Sequence, residues 1–263
     1  MRENRKTVLI TGASSGIGCH LAHVFAENGY DLVLVARNVP RLRSLAEELS
    51  GVHPVEAHVL PADLSEPGGP ERIFAWFQKR TLPVHTLVNN AGFTTYGEFS
   101  FADLEQSLNM IRVNVLSVVH LTRLFLSLML THGEGAVLNV SSTAAFLPGP
   151  FMAVYHATKS FVLSFSESLA AECRGTGVRV AALCPGVTKT RFQERGNMEE
   201  SRLLDLLTPA NARGVAEKGF AGLQKGRRVI IPGFGNRLVP LLARVMPRRL
   251  MSGTVRMVQE PVS

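Results

Sequence analysis

The sequence predicts an α/β fold: a doubly wound parallel sheet of about seven strands with helices on both faces. Three observations carry the prediction. Short β-branched runs alternate with helical patterns along most of the 263 residues, the signature of βαβ units. The first run, Thr7–Ile10, ends in Thr11-Gly-Ala-Ser-Ser-Gly-Ile-Gly18, a glycine turn that opens a helix. Later strand-like runs end in small and polar residues, where an open parallel sheet gathers its ligands.

Element by element, the helix after the glycine turn places Ile17, Leu21, Val24 and Phe25 on one face. Glycines let a backbone approach a pyrophosphate, and the helix end offers unpaired N–H groups. Asp31–Ala36 reads as the second strand. An acidic residue at its end would bind a ribose 2′-hydroxyl, but Ala36 stands there and Arg37 follows. A guanidinium suits a 2′-phosphate, which points to NADP(H) rather than NAD(H). Arg41–Leu49 reads as an amphipathic helix and His53–Leu60 as an alternating strand leading to Asp63-Leu64. Asp63 either accepts from an adenine amino group or caps the next turn. After the Pro67–Pro70 breaker come a helix through Phe77, the strand Thr86–Asn89, and Asn89-Asn90-Ala91-Gly92, whose residues suit a tight turn beside a flat ligand.

Leu104–Met129 reads as a long helix interrupted near Asn114, which taken alone is a solvated or locally bonded residue. Ala136–Val140 is the fifth strand, followed by Ser141-Ser142. Ala153–Cys173 is a helix carrying Tyr155 and Lys159, four apart and so on one face. A phenol has a pKa near ~10, and a neighbouring ammonium favours its ionisation, moving it toward the range of efficient acid–base catalysis. Val178–Leu183 is the sixth strand, and the Pro185-Gly-Val-Thr-Lys-Thr190 loop after it fits ligand contact through Thr188 and Thr190. Residues 191–208 read as a lid, 210–223 as a helix and Arg228–Ile231 as the last strand.

Apolar residues make up 46% and charged residues 19% of the chain, which suits a packed core and excludes disorder. No apolar run is expected to be long enough to span a membrane, and the N-terminal residues lack an export signal, so a cytoplasmic location is expected. Cys19, Cys173 and Cys184 lack metal-ligand spacing, so free thiols and no metal site are expected. The net charge of +7 is concentrated: Lys218–Gln259 holds nine basic residues and no Asp or Glu, leaving 19 basic against 21 acidic elsewhere. Nucleic acid is not an expected partner, because this region lacks a set of stacking aromatics.

These motifs together resemble the short-chain dehydrogenase/reductase family of non-extended type, over roughly residues 5–235. They occur in family order: T-G-A-S-S-G-I-G at 11–18, D-L at 63–64, N-N-A-G at 89–92, Asn114, Ser142, Y-H-A-T-K at 155–159 and P-G-V-T-K-T at 185–190. The resemblance implies a Rossmann-type fold and an oxidoreductase interconverting a ketone and a secondary alcohol. It implies that Tyr155 is the general acid or base and that Lys159 lowers its pKa and holds the nicotinamide ribose. Ser142 would orient the substrate carbonyl, and Asn114 would hold a water serving Lys159. It assigns Gly12, Ser14, Ser15, Gly16, Ile17 and Gly18 to the pyrophosphate, with Arg37 by the adenosine phosphate. Asp63 and Leu64 fall to the adenine, Asn90, Ala91 and Gly92 to the ribose side, and Pro185, Gly186, Thr188 and Thr190 to the nicotinamide loop. Many NADP-preferring members carry a basic residue in the glycine loop where this chain has Ser14-Ser15, so its cofactor choice rests on Arg37 and the missing acid.

The substrate wall is expected from Phe93, Tyr96, Phe146, Leu147, Phe151, Met152 and Phe192, a lining for an apolar fatty acyl, sterol-like or aryl substrate. Each aromatic has core or subunit contact as its alternative. A homodimer or homotetramer is expected by the same resemblance. Residues 236–263 form a basic, partly apolar extension to the 1–235 domain, packed on that domain, on a partner subunit or on an anionic membrane surface. A nucleotide-binding regulator or scaffold without turnover is the competing function, and the presence of both Tyr155 and Lys159 argues against it.

Overall fold

In the computed structural model the described residues are 5–189 and 209–260. Their seven strands form one parallel sheet in the order β3-β2-β1-β4-β5-β6-β7. The strands are β1 (Thr7–Thr11), β2 (Asp31–Ala36), β3 (Ala57–Pro61), β4 (Thr86–Asn89), β5 (Gly135–Val140), β6 (Val178–Leu183) and β7 (Val229–Ile230). Described helices are α1 (Gly16–Glu27), α2 (Val39–Val52), α3 (Gly69–Arg80), α4 (Leu104–Ile111), α5 (Ser117–His132), α6 (Ala153–Glu172), α7 (Ala212–Gln224), α8 (Leu238–Val245) and α9 (Arg248–Gln259).

Pleating explains the two cores. Val8 and Ile10 of β1 face α1, α2 and α7, where Leu21, Phe25, Leu42 and Leu223 close the layer. Leu9 between them faces the opposite layer with Ile73, Phe77, Leu121 and Phe125 from α3 and α5. The order in which strands are added reverses between β1 and β4, all strands staying parallel. That is the switch point of a doubly wound sheet, and it opens a crevice at the carboxyl ends of those strands.

Several boundaries differ from the sequence expectation. The third strand begins at Ala57 rather than His53, because Pro54 has no N–H for a ladder. The second helix starts earlier, at Val39, with Asn38 accepting a hydrogen bond from Arg41 N at 3.1 Å and Pro40 in its first turn. The helix expected at 210–223 starts at Ala212, capped by Asn211.

The expectation that no apolar run could span a membrane needs correction. Leu104–His132 is long and apolar enough by length and composition. Here it covers one face of the sheet instead, burying Val118, Leu121, Phe125 and Met129.

Two glycines of the first turn are required by close approach. A Cβ at Gly18 would lie 2.3 Å from Asn90 Nδ2 and 2.4 Å from the Gly12 carbonyl oxygen. Gly12 has φ +67°, and its Cβ would meet Asn90 Nδ2 at 2.8 Å and Ala91 Cα at 2.9 Å. Gly18→Ala is therefore expected to cost about 2–4 kcal/mol, since backbone must move. Denaturant melts check this, and an unchanged midpoint would show that the turn yields freely.

Candidate active site

The site is assembled at the ends of β4 and β5. Ser141 continues β5, its N–H donating to the Leu183 carbonyl and its hydroxyl to the Lys159 carbonyl at 2.8 Å. Ser142 is extended and starts a short turn, Thr143–Phe146, with its Oγ accepting from Ala144 N at 3.1 Å. The same hydroxyl hydrogen-bonds the Tyr155 phenol. Tyr155 lies in the first turn of α6 and Lys159 one turn on, both buried. The Lys159 ammonium donates to the Val140 carbonyl at 2.8 Å and lies 5.8 Å from the Tyr155 ring centroid.

Asn114 enters from a different element. The long helix breaks into a π turn at Arg112–Leu116 between α4 and α5, a local widening often found at functional sites. The buried Asn114 amide donates to the Phe93 carbonyl at 3.0 Å and to Thr158 Oγ1 at 3.2 Å, and its Oδ1 accepts from Phe93 N at 3.1 Å. The position of a Cβ on Gly92 is 3.0 Å from Asn114 Oδ1 and 3.5 Å from Lys159 Nζ. Gly92 thus brings backbone over both groups. Ser142, Tyr155, Lys159 and Asn114 therefore converge from a strand end, a helix N-terminus and a π turn.

Burial sets the electrostatics. It pushes the Tyr155 phenol up to about 12, with the Ser142 hydrogen bond acting in the opposite direction. Burial also pulls Lys159 down to about 8. The expected lowering of the phenol pKa by Lys159 is not what these surroundings produce: apolar burial dominates, and Lys159 spends a hydrogen bond on Val140. At neutral pH the phenol holds its proton, as an acid for carbonyl reduction must.

The glycine turn lies across the β1/β4 crevice from this cluster. Thr11 Oγ1 accepts from Asn90 N and Ala91 N, each at 3.0 Å, and donates to the Val88 carbonyl. Asn90 Nδ2 donates to the carbonyls of Thr11 (2.9 Å) and Gly12 (3.2 Å). The Asn90 side chain is therefore spent on locking the two turns together. Ser15 is the N-cap of α1 without a side-chain cap bond, and Gly16 has φ +59°. Ile17 packs partly on the core. The Ser14–Gly18 backbone thus leads into and forms the N-terminal turn of α1.

At the ends of β2 and β3, Arg37 Nη1 lies 3.5 Å from Asp63 Oδ2. Asp63 Oδ1 accepts from Ser65 N (2.9 Å) and Ser65 Oγ (2.7 Å), so the capping alternative for Asp63 is realised. Leu64 is buried in the core layer of β1 and β4. Pro185 sits over Ser142: its carbonyl accepts from Thr143 N at 2.9 Å. Thr188 Oγ1 donates to the Gly186 carbonyl at 2.9 Å. Thr190, Phe192 and the expected lid 191–208 lie outside the described residues.

Of the expected substrate wall, Phe93, Tyr96 and Met152 pack with Met110 around Tyr155. Phe146 does not join them. It packs with Leu163, Ala182 and Cys184 because the Thr143–Phe146 turn points it at β6. The Leu147 carbonyl holds the ring of His156 through Nδ1 at 2.9 Å. Phe151 adopts φ +63°, a conformation costing on the order of 1–3 kcal/mol. It is held by Gly97 N–H to its carbonyl at 2.9 Å and by Tyr96 ring contact at 6.0 Å. A recess beside Tyr155 is lined by Thr95, Phe99, Phe151 and Met152, and none of its described lining residues is charged.

Sequence reasoning gave no role to Thr11, Ser141, His156 or Gln259. A hydroxyl at each strand end was the readable signal for the first two. The last two needed the fold: Gln259, at the end of α9, donates through Nε2 to His156 Nε2 at 3.2 Å and approaches Met152 Sδ at 3.9 Å. Tyr96 donates its hydroxyl to the Gln259 carbonyl. The Leu147 carbonyl can only accept, so Nδ1 of His156 carries the proton and Nε2 accepts. All three cysteines are free, with Cys173 and Cys184 buried and Cys19 half-buried. Among the described residues no cluster of His, Cys, Asp or Glu could hold a metal.

A sequence profile described as short chain dehydrogenase matches residues 6–201. A sulfoacetaldehyde reductase of Chromohalobacter salexigens is 40% identical over 219 residues, covering 81% of this chain and 86% of that protein. Among solved structures, a short-chain dehydrogenase from Sphingobium yanoikuyae in complex with NADPH superposes with TM-score 0.82 at 31% identity, over 97% of this chain and 98% of that one. A 7beta-hydroxysteroid dehydrogenase superposes with TM-score 0.85 at 27% identity, over 95% and 96% of the two chains. With its seven-stranded parallel sheet and its Ser142, Tyr155 and Lys159 gathered at one edge, this chain belongs to the short-chain dehydrogenase family of oxidoreductases.

Proposed function

We propose that the protein is an NADPH-dependent reductase of aldehydes or ketones, with Tyr155 as the proton donor and Ser142 as the carbonyl-orienting group. The observation that carries the reading is the Ser142–Tyr155 hydrogen bond beside a buried Lys159. A carbonyl oxygen placed between the two hydroxyls would accept both, and the negative charge that develops on it during reduction is met by donors already oriented. The bound cofactor supplies the hydride. Ser142 and Tyr155 orient the carbonyl, Lys159 fixes α6 to β5 through Val140, and the Gly92 backbone closes over Lys159 and Asn114.

Support for NADPH comes from Arg37 and the absence of an acid at Ala36, together with the NADPH-bound relative of similar fold. Asp63, 3.5 Å away, holds the Arg37 head at the carboxyl edge of the sheet. An apolar carbonyl substrate is supported by Phe93, Tyr96 and Met152 around Tyr155.

Fluorescence titration of the purified chain with NADPH and NADH is expected to show NADPH binding at least tenfold tighter. Arg37→Ala should remove most of that preference, since a charge-assisted hydrogen bond contributes about 1.5–3 kcal/mol. Equal or tighter NADH binding would sink the cofactor assignment. A carbonyl panel with the preferred cofactor, spanning bulky apolar ketones and a small anionic aldehyde, then tests the substrate class. Turnover restricted to the anionic aldehyde would overturn the apolar reading.

A further inference from the structure

We infer that the outward face of α8, with the arginines around it, is a docking surface for an anionic lipid bilayer. In a helix packed on a globular body the apolar stripe faces inward. On α8 the pattern is reversed. Leu238, Leu241, Leu242 and Val245, at i, i+3, i+4 and i+7, are 48%, 60%, 57% and 84% exposed. Val239, Pro240 and Ala243 are the half-buried residues between them. Phe234, one turn before, is 83% exposed. These side chains form one apolar ridge with no described cover.

Charge identifies the occupant. From Phe234 to Gln259 the chain has Arg237, Arg244, Arg248, Arg249 and Arg256 and no Asp or Glu; Arg256 is paired with Glu260 at 3.4 Å, which leaves the other four arginines to set the charge of this face. A second copy meeting this face about a two-fold axis would set arginines against arginines, which opposes pairing. An anionic bilayer offers hydrocarbon to the ridge and phosphate to its flanks. At eight residues α8 is about 12 Å long. That suits lying in the headgroup plane rather than crossing the membrane.

Both ends of the segment are fastened to the body, so the ridge is presented in a fixed orientation. Asn236 packs its side chain on Gly186, where a Cβ would lie 2.4 Å from Asn236 Oδ1. Met251 and Gln259 are buried, and Gln259 reaches His156 and Met152 beside Tyr155. α8 itself packs on the Thr143–Phe146 turn that Ser142 caps. A bilayer at the ridge would therefore lie next to the loops framing the catalytic cluster. That link to catalysis rests on the reductase reading, whereas docking itself does not.

The test is co-sedimentation of the full chain with phosphatidylcholine vesicles, with and without phosphatidylglycerol. Binding is expected only with phosphatidylglycerol and should weaken as salt is added. Leu241→Glu/Leu242→Glu and Arg244→Glu/Arg249→Glu should each weaken it at least about tenfold. Both variants should keep wild-type turnover of a water-soluble carbonyl substrate, so loss of docking and loss of catalysis are read separately. Failure of the wild type to sediment with anionic vesicles would overturn the proposal, as would equal binding to phosphatidylcholine alone. So would a wild-type oligomer split by Leu241→Glu/Leu242→Glu, which would assign the ridge to a second copy.

Discussion

Tyr155→Phe is expected to lower kcat for carbonyl reduction by about 10²–10⁴-fold while leaving NADPH affinity within a factor of a few. The phenol is pushed up to about 12, so at neutral pH it holds a proton that can be delivered as charge develops on the substrate oxygen. Phenylalanine keeps the ring among Met110, Met152 and Phe93 and removes only the hydroxyl and its bond to Ser142. Stability should therefore change by no more than about 1 kcal/mol, which separates lost chemistry from lost folding. The measurement is steady-state reduction followed by NADPH absorbance, alongside a thermal melt. A variant that retains kcat within tenfold would show that the proton comes from elsewhere and would remove Tyr155 from the mechanism.

Most of the scaffold was readable because it is local. β2, β4 and β6 run at 31–36, 86–89 and 178–183 as the β-branched runs predicted, since each run is bounded by turn residues and buried on both faces. The spacing of Tyr155 and Lys159 needed only the helical period. What could not be read depends on contacts between segments far apart in sequence. The π turn at Asn114 is tied to Phe93, 21 residues away. Phe146 looks like a substrate neighbour by position, yet the Thr143–Phe146 turn packs it, partly buried, against Leu163, Ala182 and Cys184. The direction of the Tyr155 shift was missed for the same reason: a Tyr-Lys pair suggests attraction, but the depth of burial is set by Met110 and Met152 from other elements. Gln259 carried no sequence signal at all, and only the return of α9 to His156 gives it a partner.

Lys159→Met is expected to raise stability at pH 7 by about 1–2 kcal/mol while abolishing most reductase activity. The ammonium is buried, and its pKa falls from 10.5 to about 8, a penalty of roughly 3 kcal/mol on the charged form. Against that, the variant loses the bond to the Val140 carbonyl, costing about 1–2 kcal/mol. The sign with pH follows from proton counts. Below about pH 8 both folded and unfolded chains are protonated at Lys159 and the penalty is fully present. As pH rises from about 8 toward 10.5, the unfolded chain holds a proton that the folded one has released, so stability rises. Cys184, raised from 9.0 to about 12, and Tyr155, raised from 10.0 to about 12, act oppositely, because the folded state keeps protons that the unfolded state loses. The Lys159 contribution is therefore clearest between about pH 8 and 9. Thermal melts of both proteins across that window should show the wild type gaining on the variant as pH rises. A variant less stable at pH 7, or a difference independent of pH, would mean that the buried ammonium is solvated well enough to cost the fold nothing.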